Sequence, residues 1–125
     1  MRDSIDKEET KNGLDNMYPA RYNNGGIIVK ETTIFTKWMI KLKDKVAQSI
    51  INVRIRRLSL GNKGDSEPVG DGISELRIDY GPGYRIYYKQ IKNRIVILLC
   101  GGDKSTQSRD IEKAKQIASN LEDLE

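Results

Sequence analysis

The sequence predicts an α+β domain in which helices pack on a mostly antiparallel, four-stranded sheet, in the order β-α-α-β-β-β-α. Three observations carry this. Short β-branched or alternating apolar runs occur at Ile27–Thr33, Ile73–Asp79, Tyr84–Gln90 and Arg94–Cys100. Apolar residues recur at helical spacing in three other stretches. Clusters of Gly, Pro, Asn and Asp separate these segments.

Residues 1–26 are polar, sustain neither period and end in Asn23-Asn24-Gly25-Gly26, so they read as an unordered extension ahead of a domain spanning residues 27–125. Ile27, Ile28, Val29, Thr32 and Thr33 form the first strand. Phe35, Trp38, Met39 and Leu42 fall on one helical face, with Lys37, Lys41 and Lys43 mostly off it. Asp44 can cap a second helix with the stripe Val46, Ala47, Ile50, Ile51, Ile55 and Leu58, and Gly61 suits the left-handed position beyond its end. Asn62–Asp65 and Gly70-Asp71-Gly72 are loop chemistry. Gly81-Pro82-Gly83 joins the next two strands, and Lys92-Asn93 turns into the last. The continuous run Ile95–Leu99 suits a strand buried on both faces. Ile111, Ala114, Ala118 and Leu121 define the final helix, with Ser108 as its expected cap.

A length of 125 residues bounds the chain to one modest core. No run reaches the ~18 apolar residues of a membrane span, and Met1–Glu9 has no apolar signal region. A single cysteine leaves no internal disulfide, so a cytoplasmic protein is expected. Cys100 reads as a small core residue rather than a nucleophile. The chain has no histidine, which removes the commonest general base and metal ligand. No metal or other cofactor is therefore expected, and proton transfer falls to Lys, Arg, Tyr, Asp or Glu.

The net charge of +4 is unevenly spread. Between Lys37 and Lys63, eight basic residues (Lys37, Lys41, Lys43, Lys45, Arg54, Arg56, Arg57 and Lys63) face one acid, Asp44. Such a block suits a nucleic acid or an acidic protein segment, although two solvated helix faces rich in lysine would read the same. Strand parity sorts the rest. Leu76, Ile78 and Ile86 turn towards the helices, which leaves Glu75, Arg77, Asp79, Arg85 and Tyr87 together on the opposite face. That face is either a solvated array of ion pairs or a phosphate site, where guanidinium forks grip two oxygens at once. Lys104, after Cys100-Gly101-Gly102-Asp103, lies at the open end of the sheet, and the two glycines allow a sharp turn or a close approach to a ligand.

In unbroken order from about Ile28 to Leu121, these segments resemble a known family. Gly61-Asn62-Lys63-Gly64-Asp65, Pro68-Val69-Gly70, Ser74-Glu75-Leu76-Arg77-Ile78, Tyr80-Gly81-Pro82-Gly83-Tyr84-Arg85-Ile86-Tyr87-Tyr88 and Leu98-Leu99-Cys100-Gly101-Gly102-Asp103-Lys104-Ser105 are similar to the addiction module killer protein branch of the RelE/ParE superfamily, close to HigB-type toxins. The resemblance implies the compact RelE-like fold and a toxin silenced by a cognate antitoxin, usually of helix-turn-helix type. It also implies metal-free cleavage of messenger RNA on the ribosome, by attack of a 2′-hydroxyl on the adjacent phosphate, with no membrane partner.

The Gly-Tyr-Arg of RelE-like toxins, whose arginine is catalytic, matches Gly83-Tyr84-Arg85. Basic residues on the preceding strand and after the last strand match Arg77 and Lys104. Another catalytic lysine of that family falls nearest the acidic Glu75, and its C-terminal tyrosine has no counterpart in residues 108–125. The phosphate-gripping part of the family thus carries over and the proton-transfer part does not. Arg77 and Arg85 are assigned to the scissile phosphate, and Lys104 joins them as a catalytic residue. Glu75 is taken as the base for the 2′-hydroxyl proton, with Tyr87 and Lys104 as rivals for that role. Tyr87, Lys37, Lys41, Lys45, Arg54 and Arg57 would contact RNA. ParE-like relatives share the fold but bind and inhibit DNA gyrase without cutting nucleic acid, and the fold alone does not choose between the two.

Overall fold

The structure is a computed structural model that describes residues 20–23 and 26–121. Its element order is β1 (Tyr22–Asn23), β2 (Ile28–Glu31), α1 (Thr33–Lys41), α2 (Lys45–Ser59), β3 (Ser66–Gly70), β4 (Ile73–Ile78), β5 (Tyr84–Ile91), β6 (Ile95–Asp103), a 3-10 turn (Lys104–Thr106) and α3 (Gln107–Asn120). The α+β class is as expected. The sheet is larger than expected, with six strands in the order β1-β2-β6-β5-β4-β3. It is mixed, because β2 runs parallel to β6 while the other pairs are antiparallel.

Two strands were not expected. Residues 20–23, read as part of an unordered extension, instead add β1 to the edge of β2. Arg21 anchors them through an ion pair to Glu31 (2.9 Å) and a hydrogen bond to Asn52 of α2. The rest of the expected extension lies outside the described residues, apart from Gly26. β3 (Ser66-Glu67-Pro68-Val69-Gly70) is polar and holds a proline, so it carries no strand period in the sequence. As an edge strand, β3 tolerates a residue that cannot donate to a ladder.

Local chemistry sets the boundaries. Thr32 caps α1 by accepting from the amide of Phe35, and its hydroxyl donates to the Leu99 carbonyl of β6 at 2.7 Å. Asp44 caps α2 through the amides of Val46 and Ala47. Gly61 takes φ +91° after α2, where its amide bonds the Leu58 carbonyl. Lys92 and Asn93 both have positive φ, as a two-residue hairpin turn of the primed type requires. Ser108 lies within α3 and is not its cap; Asp103 accepts from Ser105 at the head of the preceding 3-10 turn.

The sheet is covered on both faces. Leu76, Ile78, Ile86, Tyr88, Val96 and Leu98 pack against Phe35 of α1 and Ile51, Ile55 and Leu58 of α2. On the other face, Ile73, Tyr87, Ile97, Leu99 and Cys100 pack against Ala114, Ala118 and Leu121 of α3 and its end. β6 is thus buried from both sides, as its apolar run requires. Gly101 and Gly102 are part of β6 and do not form a turn. A Cβ on Gly101 would lie 2.5 Å from the Trp38 ring, and one on Gly102 would lie 1.8 Å from Asp110 Oδ2. Both glycines let helices sit close to the sheet. Among the described residues, no helix is long and apolar enough to cross a membrane.

Candidate phosphate-binding cleft

The β4–β5 ladder sets Arg77 directly opposite Arg85 and Glu75 directly opposite Tyr87. Two like charges facing each other across a ladder are unfavourable unless carboxylates offset them. Each arginine has such partners. Arg77 donates through Nε and Nη2 to Asp65 (3.2 and 3.0 Å) and through Nη2 to Glu67 (3.2 Å). Its pKa is raised, chiefly by the hydrogen bond to Asp65. Arg85 Nε lies 3.9 Å from Oε2 of Glu75, a loose pairing that leaves Nε buried without a hydrogen bond.

Lys104 reaches the same place from the end of β6. Its stem lies across Gly83, where a Cβ would meet Lys104 Cδ at 2.8 Å, and Gly83 also has φ +79°. Both demands fit glycine and little else. Arg77, Arg85 and Lys104 line one open cleft of about 270 Å³ with Asp65, Ile78, Asp79 and Gly83. Three cations from three strand ends thus converge at the edge that α3 leaves uncovered.

Other expected site residues are placed differently. Glu75 is 2% exposed, and its Oε2 accepts from the Tyr87 hydroxyl (2.9 Å) and Gln107 Nε2 (2.6 Å). Tyr87 is fully buried beneath α3. Burial first, and then its hydrogen bond to Glu75, pushes the phenol pKa well up. Parity put both residues on the correct face, but the C-terminal helix covers that half of it. Tyr87 therefore cannot stack on RNA, and Glu75 does not meet solvent as a base would need to. Arg54 turns inward, donating through Nη1 to the Arg77 carbonyl at 3.0 Å with Nη2 buried beside Gly64, so it braces the cleft from behind. Lys37, Lys41, Lys45 and Arg57 are exposed on the helices, and none of them lines this cleft.

Asp65, Asp79 and Gln107 were missed as site residues. Parity had put Asp79 on this face, and it is an exposed carboxylate on the cleft wall. Asp65 joins only through the β3–β4 pairing, where the Arg77 amide donates to its carbonyl at 2.8 Å. Among the described residues, no group of three or more His, Cys, Asp or Glu side chains could hold a metal ion.

Comparison with known proteins places the chain. The family model of the phage-derived protein Gp49-like family (DUF891) matches residues 35–121. An uncharacterized protein of Haemophilus influenzae is 55% identical over 95 residues, which is 76% of this chain and 96% of that protein. These matches overturn the expected membership of the addiction module killer branch of the RelE/ParE superfamily: the chain belongs to the phage-derived Gp49-like family.

Proposed function

We propose that the protein is a toxin of a type II toxin–antitoxin pair, acting as a metal-independent endoribonuclease on messenger RNA in the ribosome. The observation that carries this reading is the convergence of Arg77, Arg85 and Lys104 on one open cleft. Three fixed cations suit the extra negative charge of a pentacoordinate phosphate, and one positioned donor of this kind is worth about 3–4 kcal/mol of barrier.

In this reaction the 2′-hydroxyl oxygen attacks the adjacent phosphorus and the bond to the 5′-oxygen breaks. The guanidinium of Arg85, whose Nε faces Glu75, and the Nη1 edge of Arg77 hold the non-bridging oxygens. Asp79 replaces Glu75 as the acceptor of the 2′ proton, because it is the carboxylate on the cleft wall that the arginines do not occupy. The Lys104 ammonium donates a proton to the leaving 5′-oxygen. The products are a 2′,3′-cyclic phosphate and a free 5′-hydroxyl.

The antitoxin would be an acidic protein segment. Val46, Val53 and Leu60, spaced by seven along α2 and its C-cap, are 56%, 48% and 62% exposed. Exposed Lys45, Arg56 and Arg57 neighbour this stripe, which fits an amphipathic helix with an acidic rim.

Induction in growing cells followed by mapping of transcript 5′ ends tests the reading. New 5′-hydroxyl ends inside translated frames, absent for Arg85→Lys, are expected; intact transcripts during growth arrest would overturn it. The burial of Glu75 and Tyr87 favours one second reading, in which the cleft binds a phosphate without cutting and the toxin inhibits DNA gyrase. Intact transcripts with DNA-damage signalling would support that reading.

A further inference from the structure

Past Leu98, β6 has no strand neighbour on the β2 side among the described residues, because the β2 pairing stops at Glu31 opposite Leu98. A groove of about 290 Å³ opens there, lined by Ile34, Lys37, Trp38 and Lys41 of α1, Cys100 and Gly101 of β6, and Lys113 of α3. The four α1 residues are spaced i, i+3, i+4 and i+7, so one helix face forms one wall. The half-buried Trp38 ring lies against Gly101, held there by the missing Cβ, with Phe35 and Tyr84 against it at 5.8 and 6.1 Å between ring centres.

The electrostatics of this groove are unbalanced. Lys37 and Lys41, one helical turn apart, repel each other, and Lys113 adds a third cation from another helix. No acidic side chain lines the groove, and none of the three lysines makes an ion pair among the described residues. Three uncompensated ammonium groups around a tryptophan suit a ligand that brings both negative charge and an aromatic plane. A nucleotide of single-stranded RNA has both. Trp38 also touches Tyr84, the residue before Arg85, whose side chain points to the opposite face of the sheet from that of Arg85.

We infer that this groove is a second RNA subsite, in which a base stacks on Trp38 while the flanking phosphates meet Lys37, Lys41 and Lys113. The inference rests on the RNA-directed reading above and adds to the cleft a second RNA contact at the edge of β6.

Trp38 is the one tryptophan of the chain, so its emission reports the subsite directly. The test titrates the full chain bearing Arg85→Lys with a short single-stranded RNA, with polyphosphate and with a poly-glutamate peptide. RNA is expected to quench Trp38, and the other two polyanions, which carry charge without a base, to leave it nearly unchanged. Replacing Lys37, Lys41 and Lys113 by Gln should weaken RNA binding about ten-fold or more at low salt. It should also flatten the salt dependence by roughly two in log–log slope, at ~0.7 per phosphate contact on a single strand.

Silent Trp38 emission at saturating RNA would overturn the inference. So would equal quenching by poly-glutamate, which would make the groove a peptide site, or unchanged RNA affinity in the triple variant. The two readings fail separately. Transcript cleavage in cells with silent Trp38 removes the subsite alone, and RNA-quenched Trp38 with intact transcripts removes the nuclease reading alone.

Discussion

Arg85 and Glu75 are diagonal neighbours across β5 and β4, and the 3.9 Å between Nε and Oε2 joins a nearly buried cation to a buried carboxylate. The carboxylate is held by Tyr87 and Gln107, so it acts as a fixed negative pedestal beneath the arginine. In this setting Glu75 orients Arg85 and is shielded from solvent.

The pairing gives Arg85 a structural cost that an exposed ion pair would lack. Arg85→Ala removes the cation beside a 2%-exposed carboxylate. The expected loss is about 1–3 kcal/mol in urea unfolding, above the under ~1 kcal/mol of a surface pair. Glu75→Gln should recover part of that loss in the Arg85→Ala background. Strict additivity of the two changes, within about 0.3 kcal/mol, would show that the residues do not couple.

Much of this was legible in the sequence. Period placed all three helices, and Asp44 and Gly61 act at the ends of α2 as their residue types suggested, whereas the expected cap Ser108 lies inside α3. Alternation placed β4 and β5 in the correct parity, and so gathered Arg77, Arg85 and Asp79 before any coordinates. What alternation does not carry is which part of a sheet face a later helix will cover. Glu75 and Tyr87 share the parity of Arg77 and Arg85, yet α3 crosses one end of that face and buries only the former pair. Edge strands were also hidden. β3 has too few apolar residues to show a period, and β1 is two residues long, held by side-chain contacts of Arg21 distant in sequence.

The two β6 glycines make a steric prediction. Gly101→Ala would drive a methyl group into the Trp38 ring, and Gly102→Ala would displace the Asp110 carboxylate, which accepts a hydrogen bond from Thr106. Overpacking of this kind costs about 1–3 kcal/mol. Gly101→Ala should also shift Trp38 emission in the folded protein. Wild-type stability and an unchanged spectrum would show that the ring is not seated on the strand.

Removal of residues 1–26 should lower the melting temperature. It deletes β1 and the Arg21 contacts to Glu31 and Asn52, in a setting where Glu31 is 13% exposed. Composition alone predicted no change. Arg21→Ala in the full chain should reproduce most of the loss, about 1–2 kcal/mol for a partly buried charge-assisted pair. A melting temperature unaltered by either change would mean that β1 adds nothing to the sheet.

Alkaline pH should destabilise the fold through two buried acids. Burial, aided by the nearby Asp110 carboxylate, lifts the Cys100 thiol from its ordinary 9.0 to about 12, and Tyr87 is also raised above its ordinary 10.0. Between pH 9 and 12 the unfolded chain gives up the thiol proton that the folded protein keeps. The native state then binds more protons, and stability falls as pH rises. The contribution is complete below pH 9 and is lost through the window up to about 12, with the tyrosine adding to the slope above pH 10. Unfolding free energies measured from pH 8 to 11 should fall accordingly, and Cys100→Ala should flatten the first part of that decline. At pH 8 the native thiol should resist iodoacetamide and react only after unfolding. Rapid alkylation of the folded protein at pH 8 would contradict both the burial and the raised pKa.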